Sequence, residues 1–219
     1  MKRKMEDNFN QIILKEIKNS NPIFLDIGAG EAESINRFKN ILPNSIIHSF
    51  EPIEERIQII KSWLQTFPHN NNITLNHCAM GDKIEEKTFY VNVKTKNSSF
   101  LKLNETNKID SLKKKIKINV NTVDNYVKQN NINYIDYLKI DTQGYEEEVL
   151  KGSIETLKLR IVKYIEIELI LSDYYEKTTN FYDVEKILLP LNYRIYHIQD
   201  IICKDGGQIE QIDVLYKLR

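Results

Sequence analysis

Two acids and two glycines near the start of the chain have a spacing suited to binding a small molecule. Asp26, Gly28 and Gly30 lie in 24-FLDIGAGEAESI-35, where an apolar run ends in an acid and a helical pattern follows. A glycine turn between a strand and a helix usually holds a ligand, because glycine lets the backbone approach it closely. A second acid, Glu51, ends the next apolar run about twenty residues further on, as an acid that binds a ribose should.

Two classes of cofactor bind at such a turn, dinucleotides and S-adenosylmethionine. The dinucleotide motif G-x-G-x-x-G has a third glycine, and here that position is Glu33, whose carboxylate would repel a pyrophosphate. S-adenosylmethionine has no phosphate; Asp26 suits its ammonium group, and the Glu51 carboxylate can accept both ribose hydroxyls. The pattern therefore predicts S-adenosylmethionine. The predicted cofactor contacts from this region are Asp26, Gly28, Ala29, Gly30, Glu51 and Pro52.

Carboxylates at the ends of later strands are candidates for the chemistry. Asp141 ends the run 134-YIDYLKID-141, and ligands of parallel sheets lie beyond the carboxyl ends of the strands. We therefore expect Asp141 to be a base or substrate orienter that also touches the cofactor; the alternative is a cap of the following helix. Gly144 is expected to leave room for the substrate. Glu146, in the first turn of the next helix, and Glu168, at the end of the next strand, are further catalytic candidates.

Apolar periodicity predicts the elements that would position these residues. A helical stripe at 5–19 is followed by alternating strands and helices, which is typical of a parallel sheet with helices on both faces. Strands are expected at 23–27, 45–50, 73–78, 134–141 and 161–169, and helices at 33–42, 53–67, 145–158 and 181–189. The last two runs, 193–198 and 209–216, are joined by 205-DGG-207, a hairpin signal that makes the last strand antiparallel.

The alternation of strands and helices is interrupted between 86 and 121. The runs 88–93 and 116–120 alternate like a small inserted β-hairpin around the polar loop 94–111, and Thr122 is expected to cap a helix at 123–129. The loop around Ser98 and Ser99 is a candidate lid over the substrate. Tyr174, in a later polar segment, is a candidate for the acceptor cleft.

Composition limits the partners. The 219 residues include 31 Lys and Arg and 31 Asp and Glu, so the chain lacks the basic surplus of a nucleic-acid or anionic-membrane binder. Cys78 and Cys203 have no metal-ligand spacing, and the first residues have no apolar stretch like that of a signal peptide, so we expect a cytoplasmic protein without a metal. No apolar run is long enough to span a membrane.

The order of several motifs resembles the FkbM-type methyltransferases. The motifs are 24-FLDIGAGEAES-34, 50-FEPIEERI-57, 77-HCAMGDK-83, 98-SSF-100, 122-TVDNYV-127 and 138-LKIDTQGYEEEVLKG-152. The resemblance implies one domain with a seven-stranded Rossmann-like sheet that transfers a methyl group from S-adenosylmethionine to a hydroxyl of a sugar, glycan or secondary metabolite. It also implies that Cys78, Ala79 and Asp82 surround the adenine. The chain departs from the family at Glu31 and Ala32 in the glycine turn, and at Gln143, where glutamate is usual.

Other functions remain open at this point. A methyltransferase acting on nucleic acid or protein has the same fold, although the neutral charge weighs against RNA, and no N-P-P-Y or D-P-P-Y motif indicates amine methylation. A nicotinamide-dependent oxidoreductase conflicts with Glu33. A further alternative is a domain that binds the cofactor without catalysis. The presence of the candidate active-site residues argues against it; these are Asp141, Gly144 and Glu146. Asp141 and Glu168 alone are weak evidence for a magnesium site.

Overall fold

The chain folds around a twisted sheet of seven strands. The computed structural model describes residues 8–105 and 109–219. Within those residues the strands are β1 (Ile23–Ile27), β2 (Ile46–Phe50), β3 (Ile73–Asn76), β4 (Ala79–Met80), β5 (Glu85–Asn92), β6 (Leu112–Asn121), β7 (Ile135–Ile140), β8 (Val162–Ile170), β9 (Tyr193–Cys203) and β10 (Ile209–Leu218). The main sheet has the order β3-β2-β1-β7-β8-β10-β9. Strand β10 is antiparallel to both of its neighbours, whereas β3, β2, β1, β7 and β8 are parallel to one another.

Helices cover both faces of this sheet. They are α1 (Phe9–Glu16), α2 (Glu33–Ile41), α3 (Glu54–Thr66), α4 (Val123–Gln129), α5 (Glu146–Lys151), α6 (Ile154–Lys158) and α7 (Phe181–Leu188). One apolar cluster joins α1, α2 and α3 to the sheet, with Phe24 and Phe38 in edge contact at its centre. A second apolar cluster packs the helices α4, α5, α6 and α7 against the opposite face of the sheet. The sheet is therefore buried on both sides, which explains why all six residues of β7 are buried, including the charged Asp136 and Lys139.

The predicted seven-stranded Rossmann-like sheet with an antiparallel last strand is confirmed. The strands and helices occur where the periodicity placed them, with ends that differ by a few residues. Thr122 caps α4 as expected, since its side chain accepts a hydrogen bond from the Asn125 amide. The part of the predicted N-terminal helix at 5–7 and residues 106–108 of the predicted loop lie outside the described residues.

The inserted hairpin is part of a second, smaller sheet. Strands β5 and β6 pair antiparallel, as expected, and the short strand β4 adds to β6 in parallel. The prediction missed β4, because two residues show no periodicity. The predicted helix at 145–158 is instead two helices, α5 and α6. The break follows Gly152, where a Cβ atom would lie 1.9 Å from the carbonyl oxygen of Gly81, so the chain bends where it meets the small sheet.

Candidate active site

A cavity of about 460 Å³ lies beyond the carboxyl ends of β1, β2, β7 and β8, within the size range of small-molecule sites. The small sheet and the loop that follows β5 form one wall, and β10 contributes to the opposite side. The charged and amide side chains that line it are Glu33, Arg37, Glu51, Arg56, Lys96, Asn97, Lys139, Asp141, Gln143, Glu166, Glu168, Gln211 and Asp213. The position is the one expected for the ligand of an open parallel sheet.

The glycine turn after β1 packs directly against the end of β7. Gly28 has a φ of +87°, and a Cβ atom there would lie 1.9 Å from the carbonyl oxygen of Asp141. The amides of Gly28 and Ala29 both donate to the carbonyl of Phe50 at 3.0 Å, which ties the turn to the end of β2. Position 28 therefore requires glycine because two backbone segments are in contact there, whether or not a ligand is bound. Gly28, Ala29 and Gly30 all line the cavity.

Glu51 connects the glycine turn to the start of α3. One carboxylate oxygen accepts from the Gly30 amide at 3.0 Å, and the other accepts from the Ile53 amide at 2.9 Å. The side chain lines the cavity beside Pro52, and each oxygen keeps a lone pair for a ligand. Burial raises the pKa of Glu51 to about 7, although Arg56 and the two amides favour the ionised form.

A continuous chain of polar side chains crosses the floor of the cavity. The Lys139 ammonium lies 2.9 Å from one oxygen of Asp141. The Gln143 amide nitrogen donates to the other Asp141 oxygen at 3.1 Å and to Glu168 at 2.6 Å. The amide nitrogen of Gln211 then donates to the second Glu168 oxygen at 2.6 Å. The chain thus brings together Asp141 and Glu168, two of the three predicted catalytic residues.

The two carboxyl groups have opposite pKa shifts. Burial alone would raise the pKa of Asp141, but the adjacent Lys139 ammonium lowers it below its ordinary value. The pKa of Glu168 is raised by burial and by the negative charge of Asp141. The directions of the two shifts favour the negative charge on Asp141, next to Lys139, and the proton on Glu168.

Asp26 and Glu146 do not line the cavity. Asp26 is fully buried; one oxygen accepts from the Ser49 hydroxyl at 3.1 Å, and burial raises its pKa. One oxygen of Glu146 accepts from the amides of Thr142 and Gly144 and from the Thr142 hydroxyl, at 2.9 to 3.1 Å. The hydrogen bonds of Glu146 therefore stabilise the turn between β7 and α5. Asp26 lies buried beneath the glycine turn.

The remaining predicted residues divide between the cavity wall and its surroundings. Ala79 and Ser98 line the cavity, whereas Cys78, Asp82, Ser99 and Gly144 do not. Ser99 is buried, and its hydroxyl donates to the carbonyl of Gln143. A Cβ atom on Gly144 would lie 2.8 Å from Leu101, so that space is filled by the loop after β5. Tyr174 lines a recess of about 150 Å³ that shares Asn97, Gln143 and Gln211 with the main cavity.

Several cavity residues were not predicted. Lys139 stands two residues before Asp141, and Gln211 stands two residues before Asp213, so each pair lies on one face of a strand. The two-residue spacing from Asp141 could therefore have indicated that Lys139 faces the cavity. No sequence pattern pointed to Arg37, whose guanidinium pairs with Glu166 at 2.7 Å.

The geometry of Glu146 predicts a structural effect. Glu146→Ala removes the acceptor of three hydrogen bonds from a buried site, and it should lower the free energy of unfolding by about 2–4 kcal/mol. Urea denaturation measures this change. The matched control is Glu148→Ala on the same helix, where loss of the partly exposed pair with Lys151 should cost less than about 1 kcal/mol. Unchanged stability together with loss of methyl transfer would contradict the structural role.

Comparison with known families identifies the class of protein. A family model described as the methyltransferase FkbM domain matches residues 26–195, more than half of the chain. The fold and this match define an S-adenosylmethionine-dependent methyltransferase, and its cofactor is S-adenosylmethionine. The chain belongs to the FkbM methyltransferase family. A comparison with curated protein sequences finds no significant match.

Solved structures share the fold at low sequence identity. The methyltransferase FkbM from Methylobacillus flagellatus is 16% identical with a TM-score of 0.60; the match covers 93% of this chain and 45% of that one. An rRNA methylase from Streptococcus thermophilus is 11% identical with a TM-score of 0.55, covering 99% and 100% of the two chains. TrmK from M. capricolum, solved with S-adenosylhomocysteine, is 14% identical with a TM-score of 0.52, covering 98% and 69%. This chain thus spans less than half of the Methylobacillus protein.

None of the described helices is both long and apolar enough to cross a membrane. In residues 8–105 and 109–219, no three His, Cys, Asp or Glu side chains are grouped so as to hold a metal ion.

Proposed function

We propose that the chain is an O-methyltransferase that acts on a hydroxyl of a sugar, glycan or related metabolite. The observation that carries this proposal is the Asp141–Glu168 pair on the cavity floor, where the Gln143 amide bridges the two carboxyl groups and Lys139 pairs with Asp141. An acceptor hydroxyl must lose its proton as it attacks the methyl group, and a positioned carboxylate contributes roughly 10²–10⁴-fold to such a step. In this proposal Asp141 is the base, and Glu168 orients the acceptor.

The same cavity supports placement of the cofactor. Glu51 would accept the ribose hydroxyls, the glycine turn would contact the methionine part, and Ala79 with Pro52 would contact the adenine, all of which line the cavity. S-adenosylmethionine, when bound, supplies a methyl carbon activated by positive sulfur. The protein then has to align the acceptor, which is worth roughly 7–11 kcal/mol of the barrier. Asp26 is buried beneath the turn and does not line the cavity, so it would act on the ammonium group only through its charge, without direct contact.

The charges of the cavity favour a neutral acceptor over nucleic acid. Six of the lining side chains are acidic and four are basic, which is unfavourable for a phosphate backbone. The whole chain has no net positive charge. The likeness to rRNA methylases concerns the fold. Cys78 and Cys203 are free thiols, which fits a cytoplasmic location, and we propose that residues 1–219 work as one catalytic domain.

A labelling experiment tests the proposal. The protein is incubated with radiolabelled S-adenosylmethionine and cell extract, and the products are separated after treatment with nuclease, protease or glycoside-cleaving acid. We expect label in a small-molecule or glycan fraction that resists nuclease and protease. The label should be stable to mild base, as an ether is and an ester is not. Label that disappears with nuclease or protease would overturn the proposed acceptor.

Glu51 makes cofactor affinity depend on pH. Its pKa of about 7 means that the carboxylate forms as the pH rises through 7. Each Glu51 oxygen already accepts from one amide, so only the ionised group keeps a free acceptor for each of two hydroxyls. We therefore expect affinity for S-adenosylhomocysteine to increase from pH 6 to pH 8. Glu51→Ala should raise the dissociation constant about tenfold or more at pH 8, since charge-assisted hydrogen bonds are lost, and should flatten the pH dependence.

Isothermal calorimetry measures both effects. Glu54→Ala is the matched control, because Glu54 is exposed on α3 and its contacts with His77 and Gln58 lie at the surface. It should leave the affinity and its pH profile unchanged. Equal affinity of the wild type and Glu51→Ala would show that the ribose lies elsewhere.

A further inference from the structure

Arg56 has an unusual environment on the cavity wall. It lies in the first turn of α3, its side chain lines the cavity, and the residue is only 8% exposed. Its Nη1 atom lies 3.7 Å from an oxygen of Glu51. The Nε and Nη2 atoms are buried and have no hydrogen-bond partner among the described residues. A charged side chain with two unmet donors is costly, so its position calls for a ligand.

The two unmet donors are a matched set. The Nε–H and one Nη2–H of a guanidinium point in the same direction along one edge of the planar group, and this edge can donate hydrogen bonds to two neighbouring oxygens. Carboxylates, phosphates and vicinal diols all present such oxygens. The remaining edge of Arg56 is directed to Glu51.

The surrounding charges select a neutral partner. Glu51 lies beside Arg56, and the nearby Lys96 ammonium is paired with Glu33 at 2.6 Å, so two positive and two negative groups already balance at this end of the cavity. An anion bound to Arg56 would be repelled by Glu51 and Glu33. A vicinal diol is neutral, and each hydroxyl can both donate a hydrogen bond and accept one.

We propose that Arg56 and Glu51 form a two-sided site for the vicinal diol of the cofactor ribose. The diol hydrogens are donated to Glu51, and the diol oxygens accept from Nε and Nη2 of Arg56. The donors are enclosed in the present conformation, so binding includes a rotation of the flexible end of the Arg56 side chain toward the cavity that it lines. This inference depends on the placement of the cofactor at Glu51 given above.

Calorimetry on three variants tests the proposal, with S-adenosylhomocysteine and its 2′-deoxy and 3′-deoxy forms as ligands. Arg56→Lys keeps the charge and loses the paired donors, and Arg56→Gln loses both. We expect both variants to raise the dissociation constant of S-adenosylhomocysteine about tenfold or more. For the deoxy forms the difference between variant and wild type should shrink severalfold, because an oxygen that Arg56 would contact is absent. Lys61→Gln, on the exposed part of the same helix, is the control and should bind like the wild type.

Each outcome decides a different point. Wild-type affinity in both Arg56 variants overturns the proposal. A loss of affinity that is equally large for the deoxy forms also overturns it, because Arg56 would then act on another part of the ligand or on the fold. Thermal denaturation identifies a folding defect, and Arg56→Lys, which preserves the side-chain length, remains informative if Arg56→Gln unfolds. If the wild type binds the deoxy forms as tightly as the parent compound, the ribose is not at Glu51, and the cofactor placement itself fails.

Discussion

Asp141→Asn is expected to reduce the rate of methyl transfer at least about a hundredfold, because the side chain loses the charge and basicity needed to take a proton. The structure adds a second reason. The two Asp141 oxygens accept from Lys139 and Gln143. In Asp141→Asn the NH₂ group must face one of these two donors, so that hydrogen bond is lost. Initial rates with radiolabelled S-adenosylmethionine and the acceptor fraction from cell extract measure the loss. Affinity for S-adenosylhomocysteine should change little.

The control for this substitution is Asp205→Asn, which removes a carboxylate in the exposed β9–β10 turn and should leave the rate unchanged. If binding of S-adenosylhomocysteine is lost together with turnover, Asp141 is a cofactor ligand, and the base has to be sought at Glu168. If neither changes, Asp141 only stabilises the turn before α5, and the proposed role is wrong.

Gly28→Ala is expected to destabilise the fold by more than about 4 kcal/mol or to prevent folding, because the new methyl group would overlap a backbone oxygen. The added Cβ atom would lie 1.9 Å from the Asp141 carbonyl oxygen, and neither the turn after β1 nor the end of β7 can shift without breaking sheet hydrogen bonds. The residue also has a φ of +87°, which disfavours alanine. Urea denaturation of the purified variant measures the change.

Gly206 offers a matched control for the effect of backbone conformation. Its φ of +98° is similar to that of Gly28, but nothing lies within 4 Å of an added Cβ atom. Gly206→Ala should therefore cost only about 1–2 kcal/mol, from backbone strain alone. Equal costs at the two positions would mean that the close approach of the glycine turn to β7 is absent in solution.

The sequence was sufficient to predict most of the fold because the signals are local. The central strands consist mostly of apolar residues, the β9–β10 turn contains two glycines, and the acid after β2 follows the glycine turn at the spacing of a ribose ligand. A local pattern does not show on which side of a strand end the cavity opens. Asp26 has the position predicted for a contact with the methionine ammonium, and only the structure shows that it is buried below the turn.

The residues that escaped prediction are those whose role depends on the order of the strands. Gln211 bonds to Glu168 only because β10 lies next to β8 rather than at the edge of the sheet. Arg56 becomes noteworthy only when its hydrogen bonds are counted, since a lone arginine in a helix is usually exposed. Gln143 was recognised as a departure from the family, but its contact with two carboxylates emerged only from the structure.

The position of β10 also has a consequence for synthesis of the protein on the ribosome. Strand β9 emerges before β10, yet β10 lies between β8 and β9. Until β10 emerges, β8 presents an unpaired edge, and β9 cannot take its native place without the strand that separates them. The nascent chain therefore passes through a stage with an open sheet edge that can pair with other chains. Insertion of β10 closes that edge and brings Gln211 and Asp213 to the cavity in the same event, so a chain that has completed its sheet has also completed its active site.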